Sequence, residues 1–194
     1  MSKAASPKPE VSSRRAVIGG AVLFAAGLAG ADVAEAASPA ELDASASASL
    51  RKLYSQSERA RELGRKARAI LIFPRITKAG FVFGAQGGDG VLRVGGRTSG
   101  YYRIIGGSFG LQIGAQQFGY ALFMISQSSV DYLRKSEGWS IGGGPTVAII
   151  DQGAAKQPDT TTLTQDVYAM PFNQKGLMAG LNLEGAKITR IHPK

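Results

Sequence analysis

The sequence predicts an α+β fold, a strongly curved antiparallel, barrel-like β-sheet with an N-terminal amphipathic helical segment packed against it. Three observations carry this. Leu42, Ala46, Leu50, Leu53, Ser57, Ala60, Gly64, Ala67 and Leu71 recur at helical spacing. Beyond Pro74 the chain becomes short apolar runs separated by glycine clusters, a pattern of strands and turns. In Phe109-Gly110-Leu111-Gln112-Ile113-Gly114-Ala115 the odd positions are apolar and two of the even ones are glycine. One face of such a strand packs a core, while the other admits a close backbone or helix, or allows sharp coiling.

Residues 1–36 have the makeup of an export signal and are set apart from the fold. Lys3, Lys8, Arg14 and Arg15 precede an apolar run from Ala16 to Gly30, and Ala34-Glu35-Ala36 offers small residues for cleavage before Ala37. Ser13-Arg14-Arg15 ahead of a weakly hydrophobic, glycine-rich run resembles a twin-arginine signal. The competing reading is an uncleaved anchor, but the run of about 15 residues is short of the roughly 18–20 that span a bilayer. Residues 37–194 are expected to form one domain, and the protein to be exported and periplasmic.

The helix should begin at Ser38-Pro39-Ala40-Glu41, which has serine at the N-cap, proline at N1 and glutamate at N3. Gly64 is the candidate point of division into two helices. Pro74 ends any helix, because the residue before a proline is driven to extended geometry. Phe81–Phe83 and Val91–Val94 then read as strands around Gly87-Gly88-Asp89-Gly90, a hairpin-turn composition. Further strands are expected at Tyr101–Ile105, Phe109–Ala115, Tyr120–Ile125, Trp139–Ile141, Thr146–Ile150, Asp166–Met170 and Leu177–Leu183, with Lys187–Ile191 a candidate last one. Ser129–Lys135 should be one or two helical turns, Gly142–Pro145 a corner or bulge, and 152–164 an exposed loop. Trp139 reads as a core aromatic in preference to a membrane-interface anchor.

Composition narrows the chemistry. The chain has no cysteine and one histidine, His192, so disulfides, thiolate catalysis, a lipoprotein anchor and Cys- or His-rich metal sites are excluded or very hard to build. The acidic residues after residue 36 are scattered, and no close carboxylate pair stands in a distinctive motif. Neither a dinucleotide-binding glycine fingerprint nor a phosphate-binding loop motif is present. No enzyme, catalytic residue, metal or cofactor is expected. The formal net charge is +9, and without residues 1–36 there remain 19 basic and 11 acidic side chains, a net +8. Such a balance favours anionic partners, nucleic acid or a phospholipid surface. Export would separate the protein from most nucleic acid, so no nucleic-acid partner is expected.

The stretch from Ala67 to Gly185 carries a more specific signal. It opens with Ala69-Ile70-Leu71-Ile72-Phe73-Pro74-Arg75-Ile76-Thr77-Lys78-Ala79-Gly80, continues through Gly107-Ser108-Phe109-Gly110-Leu111-Gln112-Ile113-Gly114-Ala115, and closes with Lys175-Gly176-Leu177-Met178-Ala179-Gly180-Leu181-Asn182-Leu183-Glu184-Gly185. In order, spacing and wording these segments resemble the SYLF (Ysc84-type) family, over nearly all of the chain after residue 40. The chain departs from the family pattern at Ser99-Gly100-Tyr101-Tyr102, at Phe118-Gly119 and in the spacing from Tyr168 to Lys175. The resemblance implies binding of membrane phospholipids and, in some eukaryotic relatives, of actin.

Combined with the charge pattern, it leads to an expected function: a peripheral lipid-binding protein whose basic surface meets anionic phospholipid or another envelope lipid. The expected contacts are Arg51, Lys52, Arg59, Arg65 and Lys66 on the helix and Arg68, Arg75 and Lys78 at the helix–strand junction. Each alone reads better as a solvated charge; together they form one basic run. The alternative is an envelope protein-interaction module using the same surface on an acidic partner.

Overall fold

The structure, a computed structural model, describes residues 37–80, 83–109, 114–150, 163–175, 183 and 185–194. The expected export signal at 1–36, residues 152–162 of the expected loop and residues 177–182 of the expected strand lie outside the described residues. Residues 36–194 make one compact unit. Among the described residues, α1 (Pro39–Gln56) and α2 (Glu58–Lys66) lead into β1 (Ala69–Gly80), β2 (Phe83–Val94), β3 (Arg97–Phe109) and β4 (Gly114–Met124). Next come α3 (Gln127–Lys135), β5 (Trp139–Ser140), β6 (Val147–Ile149), β7 (Val167–Lys175) and β8 (Lys187–Ile191).

Local chemistry sets the helices. The Glu41 amide donates to Ser38 Oγ at 3.3 Å while the Ser38 amide donates to Glu41 Oε2 at 2.9 Å, a complete capping box. That bond to the carboxylate holds the Glu41 pKa below the ordinary glutamate value. The helical segment divides at Ser57, not at Gly64. Ser57 is extended (φ −138°), closes α1 through its amide and caps α2 by accepting from the Ala60 amide at 3.1 Å. Gly64 stays helical within α2, and the Tyr54 ring occupies the space that a Cβ there would take.

The strands form one eight-stranded sheet in the order β5-β8-β3-β2-β1-β4-β7-β6. It curls into a half-barrel. Every pairing is antiparallel except β6 with β7, so the sheet is mixed rather than wholly antiparallel, and the two end strands do not pair with each other. Both faces are covered. Leu71, Phe73, Leu122, Met124, Ile188 and Trp139 belong to one core. Ile72, Ala121, Phe123 and Met170 point the other way and pack under Leu42, Ala46, Leu53, Ala60 and Leu63 of the helices. Burial on both faces is why Ala69–Phe73 and Tyr120–Ile125 are unbroken apolar runs. Trp139 is fully buried, and its Nε1 donates to the Gly143 carbonyl at 3.0 Å.

Three expectations are corrected. Leu71 belongs to β1, which starts at Ala69 while Pro74 stands inside the strand. Gly87-Gly88-Asp89-Gly90 is strand rather than turn; the β2–β3 turn is Gly95-Gly96, both with positive φ (57° and 81°). Within that straight run Asp89 lies opposite Arg103, whose Nε and Nη2 donate to its carboxylate at 2.6 and 2.9 Å. Phe109–Ala115 is not one strand: Phe109 ends β3, Gly114 begins β4, and the residues between lie outside the described set.

Candidate functional site

Pro74 has no amide hydrogen for a ladder, so inside a sheet it is confined to edges and bulges. β1 is central, and it bulges. Pairing with β2 jumps from Ile72–Val91 to Thr77–Gly87, and pairing with β4 from Phe73–Tyr120 to Ile76–Phe118, each with one extra residue on β1. The glycines of β2 and β4 make room for it. A Cβ on Gly88 would stand 2.3 Å from the Arg75 carbonyl oxygen, and one on Gly119 would meet the Phe172 ring at 2.4 Å and the Phe73 oxygen at 2.9 Å. β7 is irregular at the same level. Its pairing with β4 passes from Gly119–Phe172 to Gln117–Lys175, and Asn173 takes the left-handed conformation (φ 52°).

Above these bulges lies α1. Ser45, Ser49 and Lys52, at i, i+4 and i+7, share one helix face. Together with Pro74 and Arg75 of β1, Gln117 and Phe118 of β4, and Asn173 of β7, they line a cavity of about 360 Å³. The rest of α1 is fixed by other groups. The Asp43 carboxylate accepts from Thr98 Oγ1 at 2.7 Å and Tyr101 Oη at 3.1 Å. Arg93 Nη2 donates to Ser47 Oγ at 2.6 Å and to the Asp43 carbonyl at 3.0 Å. Burial, followed by the bond to Asp43, raises the Tyr101 pKa.

The basic residues fall into three groups. Arg51, Lys52, Arg68 and Arg75 are exposed and have no carboxylate partner among the described residues, and Lys52 and Arg75 meet at the cavity. Arg59, Arg65 and Lys66 are paired on α2: Arg59 with Glu62 at 2.9 Å, Lys66 with Glu62 at 2.9 Å, and Arg65 with Glu58 at 3.7 Å. Arg61, not singled out in the sequence, also pairs with Glu58. Hydrogen bonds from Arg61 to Glu58, and from Lys66 and Arg59 to Glu62, hold both glutamates below the usual carboxylate range.

Lys78 is the exception to the expected surface. It is only 5% exposed, because strand alternation past the bulge puts it on the same face as the buried Ile76. There it lies between Gln86 of β2 and Gln116 of β4 in register. The cavity's polar lining from Ser45, Ser49, Gln117 and Asn173 was not singled out in the sequence. The serine spacing on α1 was readable, whereas the partners from β4 and β7 depend on strand pairing.

Among the described residues no group of three or more His, Asp or Glu side chains could hold a metal. No helix among them is long and apolar enough to cross a membrane. Curled sheet, capping helices and a polar, cationic cavity define an α+β domain. Residues 105–192 match the family model Ysc84, described as Las17-binding protein actin regulator. Over these residues the chain is similar to the SYLF (Ysc84-type) family, and the match supports that assignment. The matched segment runs from β3 to the end of β8, so it holds Gln117, Phe118 and Asn173, while α1, α2 and β1 precede it. No curated protein matches the chain.

Proposed function

We propose that this protein is a non-enzymatic, peripheral lipid-binding protein of the cell envelope, and that its α1–β1 face meets anionic phospholipid head groups. The observation that carries this reading is the set of four exposed cations without a carboxylate partner among the described residues: Arg51 and Lys52 on α1, Arg68 in the α2–β1 link and Arg75 on β1. The export-signal composition of residues 1–36 supplies the compartment, and the family supplies the precedent for lipid. Each Lys or Arg near an anionic membrane contributes about 1 kcal/mol, so four give roughly 4 kcal/mol, a millimolar affinity by themselves. The α2 cations add little while Glu58 and Glu62 neutralise part of their charge. Binding is therefore reversible and falls with salt.

A second reading rests on the family's description, which names a protein target. In that reading the same face docks an acidic protein of the envelope. Vesicle co-sedimentation separates the two. The lipid reading expects the full chain to pellet with phosphatidylglycerol-containing vesicles and not with phosphatidylcholine alone, and to be released as salt rises. Failure to pellet with either would overturn it and leave the protein-partner reading.

A further inference from the structure

We propose that the cavity between α1 and the β1 bulge is a discrete binding site for one phosphate monoester. It rests on the lipid reading only for the source of that phosphate. Besides Pro74 and Phe118, the cavity's side chains are chemically alike in one respect: each can donate a hydrogen bond. Lys52 and Arg75 supply two positive charges from different elements, with no carboxylate partner among the described residues. Ser45 and Ser49 stand beside them on one face of α1. Their hydroxyls are not committed to the helix backbone, whereas the neighbouring Ser47 hydroxyl donates to the Asp43 carbonyl at 2.6 Å and accepts from Arg93. Gln117 and Asn173 add side-chain amides, and among the described residues no acidic side chain lines the cavity.

The number of charges selects the ligand. A carboxylate or phosphodiester brings one negative charge and two terminal oxygens, leaving one of the two cations uncompensated. A monoester brings about −1.5 to −2 and three strong acceptor oxygens, which suits two cations flanked by hydroxyl and amide donors. A cavity of about 360 Å³ equals roughly twelve water volumes, room for a phosphate and a short polar stem. The site is also costly to build. Two strands bulge at one level, and Asn173 holds a left-handed conformation that few non-glycine residues adopt. Such irregularities gather where a sheet re-aims side chains toward a ligand.

The full chain is titrated calorimetrically with glycerol 3-phosphate and with inorganic phosphate. It is also sedimented with phosphatidylcholine vesicles carrying phosphatidic acid or phosphatidylglycerol at matched surface charge. Lys52→Ala/Arg75→Ala is compared with Lys135→Ala/Lys194→Ala, which removes the same charge from exposed positions outside both the cavity and the proposed face. Glycerol 3-phosphate should bind the wild type. The cavity pair should weaken it about tenfold or more, with Ser49→Ala giving a smaller loss and the control pair staying within about twofold. Phosphatidic acid should be preferred over phosphatidylglycerol, and the preference should vanish in the cavity pair.

Binding of inorganic phosphate and glycerol 3-phosphate without any phosphatidic acid preference would assign the site to a free phosphate. The site would stand and the lipid reading would fall if no vesicle binds while both soluble probes depend on Lys52 and Arg75. Silence from both soluble probes, or equal losses from the two variant pairs, overturns the site. In the latter case anionic vesicle binding would still support general adsorption.

Discussion

Pro74 and Gly119 show how single residues fix the site. Pro74 denies β1 a ladder hydrogen bond where the extra residue is inserted, and Gly88 and Gly119 leave the space into which the bulged backbone moves. A methyl group at either glycine meets backbone oxygen within 3 Å, and backbone yields less readily than a side-chain tip. Gly88→Ala and Gly119→Ala should therefore each destabilise the fold by about 1–3 kcal/mol, read from urea midpoints at unchanged slope. A midpoint equal to wild type for both would mean that the bulge does not depend on these glycines. At this scale the sequence was partly legible. Pro74 was recognisable as a break in local structure, but proline disrupts helix and strand alike. Its place inside a central strand depended on the pairing of Phe73 with Tyr120, which is not local information. Lys78 was misplaced for the same reason, since one inserted residue changes which face every later side chain takes.

The helices are the most legible elements, and α2 is also the most tunable. The Ser38–Glu41 capping box needs only four consecutive residues and appeared as expected. The break at Ser57 was harder to see, because Ser57 also fits the apolar stripe and only its extended backbone reveals it as a cap. Glu58 and Glu62 hold Arg59, Arg61, Arg65 and Lys66 in pairs along α2. Their carboxyls have lowered pKa values in the fold, so the pairs stabilise α2 fully above the unfolded glutamate value of about 4.3. That contribution is lost as pH falls through the lower folded values. Glu58→Gln/Glu62→Gln should remove the acid-side loss of α2 helicity, seen by circular dichroism. The same change frees four cations at neutral pH, so sedimentation with phosphatidylglycerol vesicles should rise several-fold. Unchanged sedimentation would place α2 outside the membrane-facing surface.

Across the whole molecule, the curled sheet works as a rigid floor with a core on each side. The helices cover one face, and the cavity opens where their cover meets the bulged strands. The α+β class was legible because helical spacing gives way beyond Pro74 to short apolar runs between glycines. Strand order was not. Gly87-Gly88-Asp89-Gly90 has a turn composition, yet the chain does not reverse there, and β1 leaves no room for a Cβ at Gly88 or Gly90. The cavity brings together positions 45 to 173, a convergence that only the topology supplies.

The most direct measurement compares two fourfold neutralisations with equal loss of charge. Arg51→Ala/Lys52→Ala/Arg68→Ala/Arg75→Ala strips the proposed face, while Lys135→Ala/Lys187→Ala/Arg190→Ala/Lys194→Ala removes exposed cations from α3, β8 and the residues after it. Both are sedimented with phosphatidylglycerol vesicles at low salt, after their folding has been checked by thermal melting. The first should lose nearly all binding and the second should keep most of it. Equal losses would mean that net charge alone drives adsorption, and would contradict a defined lipid-facing surface.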